Sequence, residues 1–150
     1  MSQAIAAYLH YLSIFALFAL LSLEHVLLKP EPTLAQARSL IRVDMLFGIA
    51  AGLVLLTGLA RLLWFAKGPT YYLHNGFFHA KVALFVLIGL LSILPTVRFL
   101  GWRAAVKAGR APAVSAASVR QMTMVIRLEL ALLVLVPLMA TLMARGFGTF

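Results

Sequence analysis

The stretch Ala4–Leu28, AIAAYLHYLSIFALFALLSLEHVLL, runs for 25 residues with no lysine or arginine and with His10, Glu24 and His25 as its charged or imidazole side chains. As an α-helix it would rise about 37 Å, more than the roughly 30 Å of a bilayer's hydrocarbon core. A charge at the centre of a bilayer costs several kcal/mol, so such groups face a bundle interior and act there. Three further apolar stretches follow, Asp44–Ala66, Gly76–Leu100 and Gln121–Ala144. Each reaches the roughly 20 residues needed to span. The expected fold is therefore all-α: an integral membrane, antiparallel four-helix bundle, one transmembrane domain over residues 1–150.

Composition agrees with that reading. The chain is 63% hydrophobic and 11% charged, against about a quarter charged in a soluble domain, and its mean hydropathy is +1.02. Met1–Leu28 lacks the basic start of a signal peptide, so the first helix is expected to be retained. The absence of cysteine excludes disulfides, thiolate metal sites and Cys-held iron–sulfur clusters. No Gly-x-Ser-x-Gly and no phosphate loop occurs.

A net charge of +9 would suggest nucleic acid in a soluble domain. Here the positive residues gather in loops, so no nucleic-acid partner is expected. Lys29, Arg38 and Arg42 follow the first helix; Arg98, Arg103, Lys107, Arg110 and Arg120 surround the third connection. The other side has Arg61, Lys67 and Arg145. The positive-inside rule then predicts cytoplasmic basic loops and both termini outside, in a multi-pass protein of a bacterial inner membrane whose first partner is the lipid bilayer. Pro30 and Pro32 stop the first helix, and Gly68-Pro69 the second. A short interfacial helix is expected around Trp102–Ala108, and a kink at Pro137.

Depth along each helix separates the ionisable groups into two levels. His10 lies about 9 Å and His79 about 5 Å below the outer ends of their helices. Arg61, Lys67, His74, Lys81 and Arg145 join that level, with Tyr8, Tyr11, Trp64, Tyr71 and Tyr72 as an aromatic belt. No acid occurs in this half. Cations that converge on one cavity there need an anionic ligand, a metal-bearing cofactor or neutral histidines. A porphyrin with propionates meets the need: imidazole on iron, Arg61 at a carboxylate. Snorkelling to the interface is the simpler reading of Arg61, Lys67 and Arg145. His79 and Lys81 are two apart, about 200° around a helix, so only one of them can point to the bundle centre. His10 can pair with His79 as ligands, to haem or to a metal ion, or with Lys81 as a functional pair. Both pairings stay open.

The inner level holds Glu24, Asp44, Glu129, Arg42 and Arg127. Opposite charges at matching depth predict a structural ion-pair network, with a proton route as the alternative. His25, about 22 Å from His10 along the axis, is expected at the interface.

At these residues the chain resembles an uncharacterised family of four-helix bacterial membrane proteins and, more distantly, the HemJ-type protoporphyrinogen IX oxidases and CopD-like membrane domains. The resemblance rests on Leu9-His10-Tyr11, Leu56-Thr57-Gly58-Leu59 and Phe78-His79-Ala80-Lys81-Val82-Ala83-Leu84. It covers roughly residues 4–95. It implies a bound b-type haem, with His10 and Lys81 as the functional residues. Helix four departs from the HemJ pattern, since Glu129 stands alone with Pro137 eight residues on.

The leading expectation is a haem-b-binding membrane protein with redox or porphyrin-oxidising activity, acting on a porphyrin- or quinone-type small molecule. A copper- or metal-handling transport component is the alternative, with His10, His79 and the pair Met139 and Met143 as donors. A non-catalytic assembly subunit is the third reading. Gly48, Ala51, Gly52 and Gly58 allow close helix packing within a monomer or a homo-oligomer.

Overall fold

The structure is a computed structural model that describes residues 1–65 and 68–150. Ala66 and Lys67 lie outside the described residues, so the end of the expected second span and the interfacial role read for Lys67 do too. Helix α1 spans Ser2–Leu27, α2 Leu34–Ala60, α3 Pro69–Leu73, α4 Gly76–Gly101, α5 Arg103–Lys107 and α6 Ala116–Ala144. A π-helical turn, Arg61–Phe65, continues α2. Helices α1, α2, α4 and α6, the second and third with their extensions, are long and apolar enough to cross a membrane.

Helix starts follow local chemistry. Helix α2 begins ten residues before the apolar run at Asp44, because Thr33 and Gln36 form a capping box. Gln36 N donates to Thr33 Oγ1 at 3.2 Å and Thr33 N to Gln36 Oε1 at 2.9 Å, satisfying two donors that a helix start leaves orphaned. Ser115 caps α6 by accepting from Ser118 N at 3.2 Å, which starts that helix five residues before Gln121. Helices α4 and α6 run unbroken through Pro95 and Pro137, as membrane helices tolerate.

Helix α1 packs mainly on α2, and α4 mainly on α6. These two hairpins meet along α1–α6 and α2–α4, which leaves α1 and α4 on the diagonal of the bundle. Between them lies an apolar core that includes Leu17, Leu21, Phe47, Val54, Ile88, Ile126 and Leu133. Phe15, Leu55, Leu56 and Leu90 lie on the exposed surface, as expected where lipid replaces water.

At the termini end, the chain's last residues close over the α3–α4 corner. Asn75, fully buried, accepts from Phe77 N (3.0 Å) and Phe78 N (3.2 Å) and donates to Phe147 O (2.9 Å). Gly76 N reaches Gly148 O at 2.8 Å. Gly148 has a φ of 77°, and a Cβ there would sit 2.5 Å from the Phe77 ring. Glycine is required on both counts.

Candidate functional site

The centre of the site is His10, half-buried on α1. Its Nδ1 lies 2.9 Å from Thr57 Oγ1 on α2. The Thr57 hydroxyl reaches Leu53 O at 2.6 Å and Val54 O at 3.3 Å. A threonine hydroxyl has one proton, and the short bond to Leu53 O uses it. Toward His10, Thr57 can only accept. The neutral ring therefore carries its hydrogen on Nδ1 and its lone pair on Nε2, the arrangement that outer hydrogen bonds impose on metal-ligating histidines. Nε2 has no hydrogen-bond partner among the described residues.

Gly58 makes room for the ring. A Cβ at that position would stand 3.2 Å from His10 Cε1, tighter than ordinary van der Waals contact. Thr57 orients the ring and Gly58 admits it, which gives two adjacent residues of the Leu-Thr-Gly-Leu segment a shared purpose.

Two cations surround His10. Arg61, one helical turn beyond Thr57, and Lys81 on α4 are both within electrostatic reach of the imidazole and of each other. Arg61 Cζ stands 5.6 Å from the Tyr11 ring centroid, and Lys81 Nζ 5.4 Å from that of Phe78, within cation–π range. Both side chains are half-buried. Lys81 stands on α4, diagonal to α1 in the bundle, and acts on His10 electrostatically from there.

His79 is placed elsewhere. Its ring is exposed, with Nε2 2.9 Å from Leu73 O. The 200° between positions 79 and 81 is resolved in favour of Lys81 at the cluster and His79 on the outer face. His74 is also exposed, with Nδ1 2.9 Å from Thr70 O. Arg145 is exposed. Of the five residues read as an aromatic belt, Tyr8, Tyr11 and Trp64 are exposed and Tyr71 and Tyr72 half-buried. Met143 is buried and Met139 half-buried; the backbone carbonyl of Met143 accepts from the Tyr71 hydroxyl at 2.9 Å. Among the described residues, no group of three His, Cys, Asp or Glu side chains is arranged to hold a metal ion.

The expected ion-pair network at the other level does not form. Glu24, Asp44 and Glu129 are buried, whereas Arg42 and Arg127 are exposed. Arg127 Nε donates instead to His25 Nε2 at 3.0 Å. The reason is helical geometry: Arg42 and Arg127 each stand two residues from an acid on their own helix, about 200° around it. An inward acid turns its basic neighbour out. Arg42 joins Arg38, Arg103 and Lys107 around an open cleft of about 540 Å³ at the basic end.

Thr57, Gly58 and Asn75 owe their importance to tertiary contacts. The signals available for them in the sequence are a hydroxyl inside an apolar helix, a small residue beside it, and an Asn-Gly before a helix.

Over residues 2–148 the chain matches the family described as predicted membrane protein (DUF2214). No curated protein and no solved structure matches it.

Proposed function

The chain belongs to this family of membrane proteins, and we propose that it binds an anionic tetrapyrrole, haem b, at the termini end of the bundle. In this reading His10 Nε2 would ligate the iron, and Arg61 and Lys81 would hold the propionate carboxylates. The observation that carries the proposal is the unpartnered Nε2 of an imidazole whose other nitrogen is fixed by Thr57. The donor set fits: one lone-pair nitrogen, two cations within its electrostatic reach, and no acidic side chain at that end of the helices. It fits one axial imidazole, since His79 is exposed and its Nε2 is engaged by a backbone carbonyl. When bound, haem supplies one-electron chemistry at its iron. The residues themselves would seat the ring plane, neutralise the carboxylates and hold the imidazole in one tautomer. In the alternative use of the site the bound ring is a reduced porphyrin in place of haem: His10 and Lys81 are then free as its acid–base groups, and a quinone-type acceptor would take the electrons.

The test is the optical spectrum of protein purified after expression with a haem precursor. A Soret band that is lost in His10→Ala and kept in His79→Ala supports the reading; a wild-type protein with no Soret band sinks it. A bare copper or zinc site gains little support from a single oriented histidine. Loss of stability without change of any bound cofactor in His10→Ala would favour an assembly subunit. The proposed topology, in a bacterial inner membrane with the basic loops in the cytoplasm, is checked by reporters fused to the Arg110 loop and to the C-terminus. A cytoplasmic loop reporter and an outer C-terminal reporter are expected; the reverse pair of locations overturns the orientation.

A further inference from the structure

Each of the four long helices contributes one polar side chain to a single layer in the basic half of the bundle: Glu24 from α1, Asp44 from α2, Thr96 from α4 and Glu129 from α6. Along α1 and α2 this layer lies about 20 Å from His10 and Thr57. Glu24 is 1% exposed, Asp44 7% and Glu129 0%. Thr96 Oγ1 donates to Asp44 Oδ1 at 2.6 Å. Oε1 of Glu24 and both carboxyl oxygens of Glu129 are sealed from the surface with no hydrogen-bond partner. Such orphaned oxygens are rare and call for an explanation.

Asp44 is the electrostatic neighbour of both glutamates, and Glu129 also acts on Glu24. The cation that acts on Asp44 is Arg103 of α5, whose side chain is exposed at the basic end. His25 and Arg127 are occupied with each other outside the layer.

We infer that this layer is a proton-binding site, with the two glutamates held as neutral acids and protons entering from the basic end by way of Asp44. An ionised carboxylate in a dry interior costs several kcal/mol unless a cation and hydrogen bonds offset it. Were all three acids ionised, three negative charges would share this layer, and like charges within one site oppose one another. One guanidinium at the rim can offset one of the three. No group of three acids among the described residues is arranged to hold a metal ion, so the ligand that fits is the proton. Each uptake converts one carboxylate and one hydronium into a carboxylic acid and a water, with no other reactant. Each acid so formed gains an O–H donor for a neighbouring oxygen. Asp44 is the port because it is the most exposed of the three and joins Arg103 and Thr96 to both glutamates.

The sequence makes the test selective. The chain has four acidic side chains, and the fourth, Glu31, is exposed in a loop. Infrared spectra of the full chain in vesicles of ether-linked phospholipid, which has no ester carbonyl to absorb in the same region, should therefore show at neutral pH the carbonyl stretch of protonated carboxyl groups, arising from this layer alone. Glu24→Gln and Glu129→Gln should each lose part of that band, and Glu31→Gln none. Asp44→Asn should slow hydrogen–deuterium exchange of what remains. A wild-type spectrum with carboxylate bands and no protonated-acid band overturns the site, and does so even where a variant fails to fold. A band untouched by both glutamine variants also overturns it, and an unchanged exchange rate in Asp44→Asn overturns the port.

Discussion

His10 and Thr57 fix each other's chemistry: the 2.9 Å contact from Nδ1 to Oγ1 meets a hydroxyl whose proton is already committed to Leu53 O at 2.6 Å. The hydroxyl therefore selects the imidazole tautomer. Thr57→Val keeps the side-chain volume and removes the acceptor. Helix pairing should weaken by about 1 kcal/mol in thermal unfolding. Affinity for haem should fall about 10- to 100-fold, as when an outer partner of a ligating histidine is lost. Unchanged affinity in a folded Thr57→Val protein would count against His10 as the ligand.

Gly58→Ala places a methyl group 3.2 Å from His10 Cε1. The ring must shift by a few tenths of an ångström, and overpacking of this kind costs about 1–3 kcal/mol. At Gly48 and Gly52 an added methyl group would meet nothing within 4 Å, so both should accept alanine without loss. Comparing the melting temperatures of the three variants checks both statements.

Arg61→Gln and Lys81→Gln should each weaken binding of an anionic porphyrin, while His79→Ala should leave it unchanged. The electrostatic neighbours of His10 are the arginine and the lysine, and His79 is turned to Leu73 O. Titration of haem into the three purified variants reads the difference. A loss confined to His79→Ala would reverse the assignment.

Asn75→Ala removes the two bonds that cap α4 and the bond to Phe147 O. A lost cap costs about 0.5–2 kcal/mol, and the tail loses its anchor. Limited proteolysis should then release the residues after Met143 before the rest of the chain is cut. Wild-type protein should resist under the same conditions.

The class of fold was legible in the apolar runs, since their length and apolar composition point to spanning helices. One part of the site was legible by arithmetic: positions 79 and 81 cannot share a face, and Lys81 is the one turned to His10. The same arithmetic, applied to Arg42 with Asp44 and to Arg127 with Glu129, separates acid from base and removes the expected ion pairs. Matching depth had suggested pairing, but depth says nothing of azimuth. The early start of α2 was written in Thr33 and Gln36, three apart as a capping box needs. The Thr57 contact and the tail over Asn75 were not legible, because each depends on which helix neighbours which. That is decided by packing across the whole bundle.

The pairing of α1 with α2 and of α4 with α6 has a consequence for the two polar layers. Neither hairpin by itself owns a finished polar layer. His10 and Arg61 belong to the first hairpin and Lys81 to the second; Glu24 and Asp44 belong to the first, Thr96 and Glu129 to the second. Both layers are therefore completed only where the two halves meet. The seam between the hairpins is thus the surface on which both polar layers are completed.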